Sequence, residues 1–389
     1  MTSESFDWQQ YHAHWSLRPG TTYLNHGSFG PPPRSVREAR LKWQQALDEQ
    51  PMDFFVRLYE PAWFEARNRL AQFVGAAPAN LIFVDNATVG MNVVADSFPL
   101  SAGDEVLLTD HEYGAVRRTW SRACERTGAA FREVELPTPM FDEAEVVESI
   151  VAALTPQTRV LVVSHITSPT AITLPVAAIC RAMRERGVAV CIDGPHAIAQ
   201  LPLNLETLGC DFYTASCHKW LSAPFGSGFL WVSPQQQSHI RPGTMSWGRL
   251  LPRRPETWSD EFIWSGTRDP SAWLAVPAAI ELLETIGLER FRSQTHALAQ
   301  YARHQLTELF GTTPLAADDP QWYTSMAHVP LPGGAFETLQ QQLWQQYGIE
   351  TPIVHWKDRW FIRVSCHLYN EPEHIDRLTH ALETLLATA

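Results

Sequence analysis

Six short apolar segments, most of them separated from the next by a longer helical pattern, constrain the fold of this chain more than any other feature. They occupy residues 81–85, 105–110, 159–166, 188–193, 211–216 and 228–232. Near-continuous apolar strands that alternate with helices are typical of a mostly parallel sheet covered by helices on both faces. The sequence therefore predicts an α/β domain, and the residues just after each strand are the candidates for a functional site.

The segments outside this region carry mainly helical patterns. Apolar spacing predicts helices over residues 35–50 and 61–74, and a helix-rich stretch over 270–310. Strand patterns follow near Ile353 and over 360–364, and a last helix is predicted over 372–386. We therefore predict a large α/β domain over residues 16–270 and a small C-terminal α+β domain over residues 271–389, with residues 1–15 packing on the small domain.

Composition excludes several classes of partner. The net charge of −12 is spread without acidic blocks or basic stripes, which argues against nucleic acid and anionic membranes. No apolar run approaches the ~20 residues of a membrane span and the first residues lack a secretory signal, so we expect a cytoplasmic protein that binds small molecules. The six cysteines form no CxxC pair, which argues against a disulfide framework and against a metal site.

The chain contains three lysines, and one of them stands in an unusual place. Lys42 lies in a helix pattern and Lys357 in a polar turn, whereas Lys219 follows an apolar strand in the segment SCHKW. A buried lysine is unfavourable unless its pKa falls or it is covalently modified, and a Schiff base with an aldehyde cofactor does both. Without further support, an exposed loop lysine would remain an equal alternative.

Asp193 supplies that support. It ends the strand pattern VAVCID, where loss of hydration disfavours a carboxylate. A protonated pyridine nitrogen would be a suitable cationic partner, and the ion pair would keep the ring electron-withdrawing. The alternative is that Asp193 caps the turn or helix that follows it.

Several ordered sequence blocks carry a resemblance to a known family. They are YLNHGSFGPPP, NATVGMN, DHEYGAV, SHITSPTAITLPV, IDGPHAIAQ, DFYTASCHKWLSAPFGSGFLWV, WSGTRDPSAWLAVPAAI and FIRVSCHLYN. Together they resemble the aminotransferase class V family of fold-type I pyridoxal-phosphate (PLP) enzymes, in its isopenicillin N epimerase-like branch, over nearly the whole chain. The resemblance implies the PLP-dependent transferase-like fold, PLP as cofactor, and Lys219 and Asp193 as catalytic residues.

The resemblance also implies which residues hold the cofactor. Those expected at its phosphate are Ala87, Thr88 and Val89, together with Ser216 and His218. His111 is expected to cover the ring and to act in catalysis, with Tyr113 as the competing candidate. His196 is expected near the ring hydroxyl, where Thr167 or Ser168 contact the same edge.

The remaining assignments concern the substrate and a second subunit. Thr267 resembles a residue that reaches the phosphate of the neighbouring subunit, which implies a homodimer with composite sites; Arg268 is an alternative. Arg363 is expected to bind the α-carboxylate of an amino-acid-like substrate, because the planar guanidinium matches a carboxylate. Asn25 and His26 are expected to line the substrate entrance.

The type of reaction stays open between three possibilities. The segment IETPIVHW resembles the isopenicillin N epimerase-like branch, which implies an epimerase-like enzyme acting at the α-carbon first, a C–S lyase acting on a cysteine derivative or sulfoxide second, and an aminotransferase third. A cysteine desulfurase is disfavoured because the loop before Arg363 contains no cysteine nucleophile. A PLP-binding protein without turnover is disfavoured because Lys219, Asp193 and Arg363 are all present.

Overall fold

The computed structural model describes residues 8–249 and 255–387, and its helices and strands alternate along most of the chain. The α-helices are α1 Trp8–His12, α2 Arg34–Glu49, α3 Pro51–Asp53, α4 Tyr59–Phe73, α5 Ala87–Ser97, α6 Gly114–Thr127, α7 Glu143–Ala153, α8 Val176–Arg184, α9 Leu205–Leu208, α10 Ser271–Leu274, α11 Val276–Ile286, α12 Leu288–Phe310, α13 Leu339–Tyr347 and α14 Pro372–Ala387. The strands are β1 Thr22–Tyr23, β2 Leu81–Val84, β3 Glu105–Thr109, β4 Ala130–Val134, β5 Thr158–Ser164, β6 Ala189–Asp193, β7 Phe212–Ser216, β8 Gly228–Val232, β9 Met326–Pro330, β10 Ile349–Glu350, β11 Ile353–Trp356 and β12 Arg359–Ser365. A π-helical segment, Phe54–Leu58, joins α3 to α4.

The central sheet has seven strands in the order β2-β8-β7-β6-β5-β3-β4. Strands β3, β4, β5, β6 and β7 run parallel to their neighbours, and β8 alone runs antiparallel to β7 and β2. This confirms the predicted α/β fold with a mostly parallel sheet. Because β2 is antiparallel to β8, its carboxyl end lies at the same edge as those of β3, β5, β6 and β7.

Four strands were absent from the sequence prediction: the two-residue strands β1 and β10, and the longer strands β4 and β9. Strand β4 pairs only with β3 at the sheet edge, and its side chains are mostly exposed or half-buried, so it lacks the continuous apolar run of the central strands. Strand β9 is fully buried but carries His328 and ends in Pro330, which weakens its apolar pattern. The predicted helix over 61–74 begins earlier, at Tyr59, because the π-helical segment runs directly into it.

A second sheet, β11-β12-β9, packs with α12 and α14 around a separate apolar core. The short strand β1 pairs in parallel with β10, so the chain near Thr22 contacts the C-terminal region. Helix α11, which follows the predicted boundary at residue 270, packs against α2 and α4. The division into domains stays a prediction.

The N-terminal segment is described from residue 8 onward, so residues 1–7 of the predicted packing segment lie outside the described residues. Tyr11 accepts a hydrogen bond from Arg290 (3.0 Å), and the Trp15 ring lies 4.9 Å from the ring of His367. No single helix within 8–249 and 255–387 is long and apolar enough to cross a bilayer, although the pair Ser271–Ile286 and Leu288–Phe310 meets that test together across a 78° bend.

Candidate active site

A cavity of about 540 Å³ opens at the carboxyl edge of the parallel strands. It is lined by Gly27, Ser28, Phe29, Asn86, Ala87, Thr88, Val89, Met91, Tyr113, Ala115, Val116, Thr119, Ser168, Asp193, Pro195, Ser216, His218, Lys219 and Arg363. A larger groove of about 830 Å³ lies at the opposite edge of the sheet and contains none of the predicted site residues. The smaller cavity is therefore the candidate active site.

The N-terminus of α5 faces this cavity. Asn86 caps the helix by accepting a hydrogen bond from the Val89 N–H (3.0 Å), and the Ser216 hydroxyl accepts one from the Ala87 N–H (2.9 Å). Other N–H groups of a first helical turn have no partner within the helix, and the helix dipole favours an anion there. A Cβ on Gly228 would lie 2.8 Å from the Asn86 Cα, so glycine is required for β8 to pass this close to the turn. The arrangement fits a phosphate group.

Asp193 ends β6 and is only 4% exposed, yet it lines the cavity. In the described parts of the chain no group donates a hydrogen bond to its carboxylate, including the turn that it was alternatively expected to cap. Burial raises the pKa of Asp193, and the nearby Lys219 opposes that rise. A buried carboxylate without a donor fits a cationic ring nitrogen arriving from the cavity.

Lys219 lies three residues after the end of β7 and points into the same cavity. Its Nζ is 3.2 Å from His196 Nε2. Burial and the positive charge of Arg363 lower the pKa of Lys219, while Asp193 raises it. The side chain is therefore not the exposed loop lysine of the alternative interpretation, and its neutral form is easier to reach than that of an ordinary lysine.

His196 and His218 both lie close to this lysine. His196 is 1% exposed and its Nδ1 accepts a hydrogen bond from Trp220 Nε1 (3.2 Å). His218 lines the cavity and its ring lies 5.3 Å from that of Phe225. Burial and Lys219 lower the pKa of both histidines, that of His218 to about 4, so both are neutral near pH 7.

The predicted ring cover, His111, does not reach the cavity. Its side chain is fully buried, its Nδ1 is 2.7 Å from the Thr170 hydroxyl, and its ring packs 4.5 Å from that of Trp356. Tyr113, the competing candidate, lines the cavity and is 49% exposed. Tyr113 has surface in the cavity and His111 has none, so Tyr113 is the favoured candidate for a ring contact, and the assignment of His111 stays a prediction.

Arg363 projects from β12 into the cavity although it is only 5% exposed. One guanidinium nitrogen donates to the carbonyl and hydroxyl oxygens of Ser168, and the other donates to Ser28 Oγ (2.9 Å). No carboxylate pairs with it in the described residues, and burial lowers its pKa to about 10. A buried guanidinium held only by neutral acceptors is suited to a substrate carboxylate.

Asn25 and His26 do not line the entrance as expected. Asn25 is buried and donates to Glu350 (3.4 Å), and His26 is fully buried between the Tyr369 hydroxyl (2.8 Å) and the Lys219 carbonyl (3.0 Å). The following residues Gly27 and Ser28 reach the cavity instead. A Cβ on Gly27 would lie 2.9 Å from Met326 Sδ, which explains the glycine.

Of the other predicted residues, Ser168 lines the cavity and Thr167 does not: Thr167 is fully buried and bonded to Thr170 (2.7 Å). Thr267 is exposed and lies outside the cavity of this chain. Arg268 pairs with Asp85 (2.6 Å) and stacks on the Trp273 ring at 4.3 Å. The structure thus brings most of the predicted residues together and leaves Thr267 exposed outside the cavity.

Sequence reasoning missed Ser28 and Glu112. Ser28 was missed because its role depends on Arg363, which is 335 residues away. Glu112 is 4% exposed and accepts hydrogen bonds from the Thr109 hydroxyl (2.6 Å) and from the N–H (3.0 Å) and hydroxyl (2.7 Å) of Ser164. Burial raises the pKa of Glu112 to about 7, and the charge of Asp193 adds to the effect. An acidic residue shortly after an apolar strand, one position after His111, was the available signal.

Three separate observations fit PLP to this cavity. The first turn of α5 and the end of β7 offer a phosphate the Thr88 N–H and the Ser216 hydroxyl, the carboxylate of Asp193 lacks a donor, and Lys219 presents an amine of lowered pKa. His196 and Ser168 lie at the same site. The donor set therefore suits an aromatic cofactor with an anionic end and a basic ring nitrogen.

Comparison with known proteins gives consistent results. The family model described as aminotransferase class-V matches residues 58–378. The chain is 36% identical to an isopenicillin N epimerase of Streptomyces clavuligerus, over 97% of this chain and 98% of the relative. It is 38% identical to an isopenicillin N epimerase of Amycolatopsis lactamdurans, over 97% and 98%. It is 31% identical to a putative L-cysteine desulfhydrase of Oryza sativa subsp. japonica, over 95% of this chain and 84% of the relative.

Among solved structures, the fold is similar to that of the cystine C–S lyase C-DES in complex with its reaction product cysteine persulfide. The TM-score is 0.83 at 24% identity, and the match covers 94% of this chain and 98% of that chain. At this level of identity the similarity concerns the fold alone. It confirms the predicted fold class.

Proposed function

Because this chain belongs to the aminotransferase class-V family and is a pyridoxal-phosphate-dependent enzyme, we propose that it epimerises the α-carbon of an amino acid or amino-acid derivative. The observation that carries the proposal is that Lys219 and Arg363 face one cavity, and that Arg363 has no carboxylate partner among the residues described. This pair can hold an α-carboxylate while an amine acts at the adjacent carbon.

Lys219 has two roles in this proposal. It attaches the cofactor covalently through Nζ, and after the substrate takes its place the free amine accepts the α-proton. Burial and Arg363 lower the pKa of Lys219, which favours the neutral form that both roles need. The cofactor, when bound, supplies an electron-withdrawing ring that stabilises negative charge at the α-carbon. Asp193 keeps the ring nitrogen protonated.

Arg363 orients the substrate. Ser168 and Ser28 each bind one of the two terminal nitrogens of its guanidinium, and Arg363 lines the cavity. A carboxylate bound by two charge-assisted hydrogen bonds would fix the α-carbon relative to Lys219.

Epimerisation also requires a proton donor on the face opposite Lys219, and we assign this role to Tyr113. Lys219 follows β7, whereas Tyr113 follows β3, and two strands, β6 and β5, lie between them. Neighbouring strands are about 4.8 Å apart, so the ends of β7 and β3 lie about 14 Å apart along the sheet edge, and both residues line the cavity there. Tyr113 is also close enough to Arg363 to influence its pKa.

A C–S lyase acting on a cysteine derivative is the second candidate, favoured by the 31% identity to a putative L-cysteine desulfhydrase. An aminotransferase, the third, would use the same lysine without the need for Tyr113. A cysteine desulfurase remains disfavoured because Cys217 and Cys366 are both fully buried, and burial raises the pKa of both thiols. Such thiols are poor nucleophiles.

We also propose that the enzyme acts as a cytoplasmic homodimer. Thr267 is exposed and does not line the cavity of its own chain, as expected of a residue that completes a neighbour's site. Large apolar side chains are also exposed in the N-terminal part of the chain, at Phe29, Leu41, Met52 and Val56, which favours a protein partner surface. The six cysteines are free thiols, as is usual in a reducing compartment.

The test is incubation with a panel of L-amino acids and their derivatives in deuterated water. Deuterium at an inverted α-carbon supports epimerisation, pyruvate with a released sulfur species supports the lyase, and a keto acid supports transamination. Lys219→Ala should abolish every outcome, whereas Lys42→Ala, a matched change on α2, should not. Borohydride should fix the cofactor onto Lys219; recovery of unmodified Lys219 would contradict the proposal.

A further inference from the structure

The two ring nitrogens of His196 have different neighbours, and these determine where its proton lies. The indole nitrogen of Trp220 donates to Nδ1 (3.2 Å), and Nε2 is 3.2 Å from Lys219 Nζ. An indole N–H can only donate, so Nδ1 must carry a lone pair. The proton of the neutral ring therefore lies on Nε2, and Nε2 can only donate.

This has a consequence for Lys219. An ammonium group has three donors and no acceptor, so it cannot accept a hydrogen bond from Nε2–H. The contact is satisfied when Lys219 is a neutral amine, whose lone pair accepts the Nε2 proton. A doubly protonated His196 would place an N–H against the indole N–H, and burial independently lowers the pKa of this histidine.

Trp220 is held so that its N–H points at His196. Its side chain is fully buried, and its ring lies 5.1 Å from that of His26 and 6.2 Å from that of His367. His26 is also within hydrogen-bonding distance of the Lys219 carbonyl (3.0 Å). The same cluster therefore fixes both the indole and the backbone that carries the lysine.

We propose that Trp220 is a positioning residue that fixes His196 as an Nε2–H donor and thereby favours the neutral amine form of Lys219 in the cofactor-free enzyme. The inference deepens the proposed function and rests on it for its significance. Only a neutral amine has the lone pair needed to bond the aldehyde carbon of the cofactor or to accept an α-proton.

The small number of lysines makes a direct test possible. In cofactor-free protein labelled with [ε-¹³C]lysine, Lys42, Lys219 and Lys357 give three NMR signals, assigned with Lys42→Arg and Lys357→Arg. We expect Lys219 to titrate at lower pH than Lys42. Trp220→Phe should raise the Lys219 midpoint by about one pH unit, because His196 can then turn a lone pair toward an ammonium, and a hydrogen bond of about 1.4 kcal/mol corresponds to one pH unit.

Trp63→Phe is the matched control. Trp63 is also fully buried, but its Nε1 has no hydrogen-bond partner in the described structure, so its replacement should leave the Lys219 midpoint unchanged. An equal midpoint in the wild type and in folded Trp220→Phe would overturn the proposal.

A second measurement does not depend on a variant folding. ¹⁵N NMR of ring-labelled histidine in the wild type, with the His196 signals identified by their loss in His196→Gln, should show the proton on Nε2; a proton on Nδ1 would overturn the inference. Both measurements use cofactor-free protein. If Lys219 titrates at low pH but the enzyme exchanges no α-proton, the proposed function is refuted and the inference stands. If borohydride fixes the cofactor onto Lys219 but Trp220→Phe leaves the titration midpoint of Lys219 unchanged, the inference is refuted and the proposed function stands.

Discussion

Replacing Arg363 with methionine should separate function from stability. Arg363 is 5% exposed, and burial lowers the pKa of its guanidinium to about 10. The folded-state value lies below the unfolded one, so the cation destabilises the folded state, by about 3 kcal/mol at every pH below about 10. Methionine removes this penalty.

The variant also loses the hydrogen bonds of Arg363 to Ser28 and Ser168, each worth about 1 kcal/mol. The two effects oppose each other, so we expect the free energy of unfolding of cofactor-free Arg363→Met to stay within about 1–2 kcal/mol of wild type. For a substrate with an α-carboxylate, loss of two charge-assisted hydrogen bonds of about 3–4 kcal/mol together should lower kcat/KM by about 10²–10³-fold.

The assay compares α-proton exchange of an amino acid with that of the corresponding amine, which lacks the carboxylate. Arg363→Met should depress exchange of the amino acid alone, and thermal denaturation should show a Tm within a few degrees of wild type. Arg303→Met is the control: Arg303 is also buried, but it donates to the Ala316 carbonyl (2.5 Å) and stacks 5.0 Å from the Tyr323 ring, away from the cavity. Equal losses for the amine and the amino acid, or a collapse in Tm, would refute the reasoning.

Three further predictions follow from individual side chains. Asp193→Asn should weaken binding of PLP and slow α-proton exchange by at least about 10²-fold, because a neutral amide cannot hold the ring nitrogen protonated. Cofactor titration followed by absorbance and measured exchange rates check this prediction. An unchanged exchange rate would mean that another residue contacts the ring nitrogen. Tyr113→Phe should retain exchange of deuterium into the starting enantiomer but lose inversion about 10²-fold or more, as measured by chiral chromatography; equal inversion would exclude Tyr113 as the acid. For Glu112, burial raises the pKa to about 7, so its contribution to stability is present below the unfolded value near 4.5 and is lost as the pH rises to about 7. Glu112→Gln should therefore gain stability relative to wild type, by up to about 3 kcal/mol between pH 4.5 and 7.5, and an equal difference in Tm at both pH values would contradict a protonated Glu112.

Much of the fold follows from local patterns. The six buried strands of the central sheet were predictable because each is a near-continuous apolar run, as expected for strands covered by helices on both faces. Strand β4 lies at the edge and is mostly exposed or half-buried, so its sequence AFREV carries no such signal.

The main functional groups of the site were also predictable from the sequence. Lys219 and Asp193 each follow or end an apolar strand, and the shared carboxyl edge of parallel strands brings such residues together. Their presence in recognisable blocks was sufficient to predict the cofactor. Arg363 and Ser216 were identified in the same way, and all four line the cavity.

The orientation of neighbouring residues within a block was not predictable from the sequence, and the tertiary contacts set which of them lines the cavity. His111 and Tyr113 differ by two positions after β3, and so do His26 and Ser28 in the loop after β1, yet one member of each pair is buried in packing while the other lines the cavity. The choice depends on partners far along the chain: Trp356 and Thr170 enclose His111, and Tyr369 with the Lys219 carbonyl encloses His26. Loop residues have no periodicity that fixes their direction, so their orientation is set by the contacts that the completed fold provides.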